Sequence, residues 1–271
     1  MRVGFIGLGS QGGPMARRII GGGFATTLWA RRPATVEPFA DTPAEVAQSP
    51  AELAAASDLV CLCVVDEAGI EEITNGEHGL LAGLKPDSVI AVHSTVHPNT
   101  CKALAKEASG KGVSVIDAPV SGGGPAADEG RLVVMVGGEA DAVERCRPVF
   151  ETYGDPVVHL GELGSGQTTK LLNNLLFTAH LGTAATALSL AQSLGVASDR
   201  LIEVISRSSG NSFALNAIGG TGGLDRLAGL AGTLLQKDVR LVVDLAEAAA
   251  ARAGAVLDAA DAALTLMDHP R

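Results

Sequence analysis

Three glycines, Gly7, Gly9 and Gly12, stand in GFIGLGSQG directly after the apolar Val3, Phe5 and Ile6. A buried parallel strand ending there lets the glycines turn tightly and approach a pyrophosphate with no Cβ atom intervening, while the following helix aims its N-terminal amides at the phosphates. The phosphate-binding stretch is therefore expected at Gly7, Leu8, Gly9, Ser10, Gln11 and Gly12. The chain holds 34 glycines, so the pattern alone has chance matches, and its weight comes from the strand before it and the helix after it. About twenty residues further on, an NAD site usually places an acid for the ribose 2′-hydroxyl. Here LWARRPAT supplies Arg31 and Arg32. Two guanidinium groups at that place can hold the extra phosphate of NADP by charge-assisted hydrogen bonds. The alternative is a solvated basic pair at a strand end. NADP is expected ahead of NAD.

Two further segments could handle a small polar ligand. In DAPVSGG, Ser121, Gly122 and Gly123 follow the end of an apolar run. Exposed amides with a hydroxyl there can grip a carboxylate, and an ordinary glycine turn has the same composition. In GSGQTTKLLNN the glycines break the chain and a helix is expected from near Gln167. Lys170, Asn173 and Asn174 then fall at spacings of three and four and can share one helical face. Amides beside Leu171, Leu172, Leu175 and Leu176 are costly to bury without partners, which suits a polar cleft. A simply solvated Lys170 is the alternative.

The elements that must position these residues come in two textures. Through about residue 160, VGFIG, ATTLWA, LVCLCVV, SVIAVHS, VSVIDAP, LVVMVGG and PVVHLG alternate with helical stretches, which predicts a mostly parallel sheet with helices on both faces. After Gly166 the strand pattern stops and long alanine- and leucine-rich stretches follow, including a run from Gly229 to Met267 with few breaks. The expected fold is an α/β Rossmann-type doubly wound sheet over 1–162, followed by an all-α domain over 163–271. Side chains in the second part are small, so its helices are expected to pack closely or to pair with another subunit, as a homodimer or homotetramer.

Composition sets the outer limits. A chain of 271 residues with 46% hydrophobic residues can bury a sizeable core in one large or two modest domains. Its net charge of −10 offers no basic stripe for nucleic acid. No apolar stretch reaches the roughly 18 residues of a membrane helix, and the start lacks a signal peptide's flank and cleavage site, so a cytoplasmic protein is expected. Cys61, Cys63, Cys101 and Cys146 lack paired metal-ligand spacing, and the six histidines are scattered singly. Buried strand thiols and no metal site are the reading.

GFIGLGSQG, then DAPVSGG with GRLVVMVGG, then GSGQTTKLLNN, then Lys237 and Asp238 at what reads as the start of the last long helix, form an ordered set. Across nearly the whole chain it resembles the β-hydroxyacid dehydrogenase family, which includes 3-hydroxyisobutyrate dehydrogenases and tartronate semialdehyde reductases. The resemblance implies hydride transfer between a nicotinamide and a small β-hydroxy acid or its semialdehyde. It makes Lys170 the catalytic lysine that moves the proton and Asn174 an amide that orients the substrate. Ser121, Gly122 and Gly123 would hold a carboxylated substrate, and Lys237 would lie beside cofactor and active site. Val64, Val65 and Asp66, with Ser94 and Thr95, match loops that line the cofactor. Two departures concern the pocket: Leu230 stands where the family often has an aromatic residue seven positions before its KD lysine, and the chain ends soon after its last helix. An imine reductase-like enzyme is an alternative, although those relatives usually replace the lysine. A non-catalytic NADP-binding sensor or assembly protein is another, since fold alone does not establish chemistry.

Overall fold

Short apolar runs build the centre of the first sheet because its inner strands must bury both of their faces. In the computed structural model, which describes residues 1–271, six parallel strands pair in the order β3-β2-β1-β4-β5-β6. They are β1 (Val3–Ile6), β2 (Thr26–Trp29), β3 (Glu45–Val46), β4 (Leu59–Leu62), β5 (Val89–Val92) and β6 (Ser114–Asp117). Every residue of β1, β4 and β5 is buried, as a sheet covered on both sides requires. Side chains alternate between two cores. Val3, Phe5, Leu28, Leu59, Cys61 and Val89 pack with Met15 and Ile19 of α1 (Gly12–Gly21). On the opposite face Ile6, Val60, Leu62, Ile90 and Val92 meet Leu53 of α2 (Pro50–Ala55), Ile70 of α3 (Glu67–Thr74), Leu80 of α4 (Leu80–Gly83) and Leu104 of α5 (Pro98–Ser109).

The strand candidates after β6 do not extend this sheet. β7 (Val120–Ser121), β8 (Leu132–Val136) and β9 (Gly154–His159) form a separate mixed sheet, β7 antiparallel to β8 and β9 parallel to it. Ala118 and Pro119 turn the chain between β6 and β7, and a single antiparallel bridge from Asp117 to Gly137 connects the two sheets. The single mostly parallel sheet read from sequence is therefore two sheets. α6 (Gly123–Asp128) and α7 (Ala140–Phe150) belong to this part, and Val143, Val149 and Phe150 of α7 complete the first core.

Contacts divide the chain into two units, Met1–Lys170 and Leu171–Arg271. No strand follows β9. α8 (Ser165–Ser193) starts in the first unit and runs into the second, which also holds α9 (Ser198–Ile205), α10 (Phe213–Thr221), α11 (Leu224–Ala248) and α12 (Gly254–Leu266). Leu175, Leu181, Ile218, Leu235, Val239 and Leu264 are among its core residues. Small residues do let these helices approach: a Cβ on Gly182 of α8 would lie 2.9 Å from the carbonyl oxygen of Ala259 on α12. No helix is long and apolar enough to cross a membrane.

Candidate nucleotide and substrate site

The strand order reverses between β1 and β4, and open α/β sheets bind ligands outside the strand ends at such a point. The glycine loop lies there, and its three glycines do three different things. Gly7 has φ 100°, and a Cβ on it would overlap the backbone carbonyl of Cys63 just past β4. Gly12 starts α1 so close to the sheet that a Cβ would collide with the carbonyl of Gly7 and lie 2.9 Å from the Phe5 ring. Gly9 instead faces open space, with nothing within 4 Å of its Cβ position. No side chain caps α1 and its first turn holds no acid, so its positive end is left for an anion. These residues fit the pyrophosphate of a dinucleotide.

Arg31 and Arg32 follow β2, both exposed. Arg31 reaches Glu72 of α3 at 3.0 Å, with the two side chains 67% and 56% exposed. So exposed a pair contributes little and yields readily to a stronger anion. Val64 donates its amide to the Ser94 hydroxyl at 2.9 Å, joining the turns after β4 and β5. Asp66 caps α3 through the amide of Gly69, and Val65 projects into solvent. Thr95, half-buried, follows Ser94 in the turn.

The Ser121 turn comes near the phosphate loop. Ser121 ends β7, Gly122 has φ 133°, and Gly123 opens α6. A Cβ on the next residue, Gly124, would lie 2.9 Å from the carbonyl oxygen of Ser10. The DAPVSGG turn therefore lies next to the nucleotide-binding turn, with Ser121 half-buried and Gly122 and Gly123 exposed.

α8 begins at Ser165, close to the expected start, and Lys170 is half-buried on its second turn. Asn174 lies four residues further along the same helix. Its Nδ2 donates to Asp238 Oδ2 at 2.6 Å, and its Oδ1 accepts from Asn173 Nδ2 at 3.0 Å. Asn173 itself is exposed. Lys237 Nζ sits 3.0 Å from the other oxygen of Asp238, whose side chain is only 5% exposed. Asn174 and Lys237 are therefore brought together through Asp238. The Lys237 and Asp238 pair lies midway along α11, not at a helix start, because the helix already begins at Leu224. Leu230 is 74% exposed.

Three residues that stand in the sequence motifs without an assigned role, Asp238, Asp117 and Gln167, are engaged by hydrogen bonds in the structure. Asp117 is fully buried at the end of β6, where burial pushes its pKa up while the amides of Gly164 and Gln167 pull it down. Gln167 is also fully buried. The available signal was an acid closing the apolar strand VSVID, since such a group must find partners inside. Of the cysteines, Cys61, Cys101 and Cys146 are buried free thiols, whereas Cys63 lies beyond β4 and is partly exposed. No group of three or more His, Cys, Asp or Glu is placed to hold a metal ion.

Strand order and phosphate loop together define a dinucleotide-binding protein of Rossmann type. Residues 2–161 match the family model described as the NAD binding domain of 6-phosphogluconate dehydrogenase, and residues 164–268 match the NAD-binding model of NADP-dependent 3-hydroxyisobutyrate dehydrogenase. The chain is 34% identical over 217 residues to 2-(hydroxymethyl)glutarate dehydrogenase of Eubacterium barkeri, covering 80% of this chain and 72% of that one. It is 31% identical over 257 residues to NAD-dependent L-serine dehydrogenase of Pseudomonas aeruginosa, covering 92% and 86%. Its structure is similar to that of Mycobacterium tuberculosis 3-hydroxyisobutyrate dehydrogenase with L-serine, with TM-score 0.85 and 28% identity over 99% of this chain and 95% of that one. The chain belongs to the β-hydroxyacid dehydrogenase family, and is thereby an oxidoreductase with a nicotinamide cofactor.

Proposed function

We propose that the protein is an NADP-dependent dehydrogenase of a small β-hydroxy acid, or a reductase of the matching semialdehyde. The observation that carries this reading is the approach of Gly124 to Ser10, which sets a turn suited to a carboxylate beside a loop suited to a pyrophosphate. Gly7, Leu8, Gly9, Ser10, Gln11 and Gly12 hold the pyrophosphate, Val64, Val65, Asp66, Ser94 and Thr95 line the cofactor, and the bound nicotinamide supplies or accepts the hydride. Ser121, Gly122 and Gly123 grip the carboxylate, and Asn174 orients the substrate, with Lys237 beside it. Lys170 moves the proton: as a neutral amine it accepts one from the hydroxyl on oxidation, and as an ammonium it gives one to the carbonyl oxygen on reduction. Retention of this lysine favours carbonyl chemistry over imine reduction or a purely sensing role. Turnover of a β-hydroxy acid with NADP, lost when its carboxylate is esterified, tests the substrate half.

The cofactor choice rests on Arg31 and Arg32, since relatives of this family include an enzyme named as NAD-dependent. Arg31 leaves its exposed partner Glu72 for the 2′-phosphate, because a charge-assisted bond to phosphate is worth about 1.5–3 kcal/mol against 0–1 for a surface pair. Arg31→Ala is expected to weaken NADPH binding about tenfold or more and to leave NADH binding within about twofold, read by titrating dihydronicotinamide fluorescence. Equal losses for both nucleotides would rule out the 2′-phosphate contact.

The helical unit is proposed to pair with a second copy. Leu172, Leu176, Leu190 and Leu194 are all exposed on or just past α8, where spacings of four and eighteen put them along one side of the helix. Such a concentration of apolar side chains marks an association surface. Sedimentation velocity at micromolar concentration should show a dimer or tetramer, and a monomer would contradict it.

A further inference from the structure

We propose that Gln167 and Asp117 are positioning residues for Lys170, a claim that rests on Lys170 being the proton-transfer group. Both lie within the first unit, and together they fasten the first turn of α8 to the carboxyl ends of the strands. Asp117, at the tip of β6, accepts the amide of Gly164 at 2.7 Å with Oδ1 and the amide of Gln167 at 2.6 Å with Oδ2. It thereby satisfies amides that the start of a helix leaves without partners, from a residue about fifty positions upstream. The Gln167 side chain then spans the next strand tip: its Oε1 accepts the Val96 amide at 3.1 Å and its Nε2 donates to the Ser94 carbonyl at 2.7 Å. Ser94 passes the link on, since its hydroxyl accepts the Val64 amide beyond β4.

Two glycines make room for this clamp, Gly166 in GSGQ and Gly137 just after β8. A Cβ on Gly166 would lie 2.8 Å from Asp117 Oδ2 and would collide with the Met135 carbonyl, and one on Gly137 would lie 2.5 Å from Asp117 Oδ1. Three strand tips, β4, β5 and β6, are thus tied to a helix turn whose residue three places on is Lys170. A buried amide with both ends engaged has one orientation and one length, so the height of that turn above the sheet edge is fixed. Open α/β sheets hold their ligands at this edge. Small misplacements of a reacting group lower the chemical step more than they lower binding.

The test compares Gln167→Met, Gln167→Glu and Lys170→Ala with the parent protein, using NADP and 3-hydroxyisobutyrate as probe. Gln167→Met keeps the length and removes both hydrogen bonds. It is expected to lower kcat at least tenfold, to change NADPH binding less than threefold, and, without nucleotide, to speed hydrogen exchange at the Val96 amide. Should Gln167→Met fail to fold, Gln167→Glu carries the test. A protonated glutamic acid can accept from Val96 and donate to Ser94, whereas its carboxylate repels the Ser94 carbonyl. Its kcat relative to the parent should therefore rise as pH falls. Unchanged kcat in Gln167→Met, a parallel fall of kcat and NADPH binding, or a pH-independent ratio for Gln167→Glu would overturn the clamp. Full activity in Lys170→Ala would instead remove the underlying role of Lys170, and an inactive Lys170→Ala beside a fully active Gln167→Met would remove the clamp alone.

Discussion

Replacing Lys170 with alanine is expected to lower turnover by about 100-fold or more while NADP affinity stays within about threefold. The size follows from what the group does. Hydride transfer to or from carbon creates or destroys an oxygen-bound proton in nearly the same step, and a positioned acid or base contributes about 10²–10⁴ to such reactions. Lys170 lies on α8 and not on the turns around Gly9. Binding and chemistry should separate cleanly. Lys170→Arg sharpens the test, because a guanidinium stays protonated and can polarise a carbonyl but cannot accept the hydroxyl proton. Turnover should therefore fall in both directions, since the same proton transfer runs forward in oxidation and backward in reduction. Steady-state rates in both directions, with NADPH fluorescence titration for affinity, check the pair. Parent-like oxidation by Lys170→Ala would remove the proton-transfer role altogether.

Acidification from about pH 6.5 to pH 4 is expected to cost the fold about 3 kcal/mol through one side chain, His93. This ring follows β5 and is 3% exposed. Its Nδ1 donates to the Ala118 carbonyl at 2.6 Å, so its Nε2 faces the Tyr153 hydroxyl at 3.3 Å as an acceptor. Phe5 stacks nearly parallel to it, and Phe150 and Tyr153 meet it edge-on. Burial in this aromatic nest is the main cause that lowers its pKa from 6.5 to about 4, against a smaller upward pull from Ala118. The folded state thus resists a proton that the unfolded chain accepts. The stabilisation is complete above about pH 6.5 and is lost as pH falls toward 4. Denaturant unfolding across this range should show the slope in the parent and a flatter one in His93→Gln. Identical slopes in the two proteins would contradict a neutral buried His93.

The parts of the fold legible in sequence were those written in local apolar runs. Leu59, Val60, Cys61 and Leu62 are buried on both faces of the sheet, and such a run reads as a parallel strand without knowledge of its neighbours. β3 and β7 were not legible, because two residues carry no periodicity and Glu45 and Val46 are exposed. The second sheet was hidden for another reason: β8 looks like any buried strand, and only the turn through Pro119 and the bridge from Asp117 to Gly137 send it elsewhere. Within the site, Gly7, Gly9 and Gly12 could be read in advance because strand, turn and helix start are consecutive. Asp117 could not, since its amide partner Gly164 lies 47 positions away. Nor could the 64-position bond from Asn174 to Asp238, which gave the KD motif its partner.

Initial velocity with NADP and with NAD on a panel of small β-hydroxy acids, their methyl esters, the matching semialdehydes and a cyclic imine decides whether this is an NADP-dependent β-hydroxyacid dehydrogenase. The expected result is turnover of at least one free acid or its semialdehyde, a kcat/KM for NADP at least about tenfold above that for NAD, and loss of rate on the ester. NADPH binding without turnover of any acid or semialdehyde, or reduction of the imine alone, would contradict it.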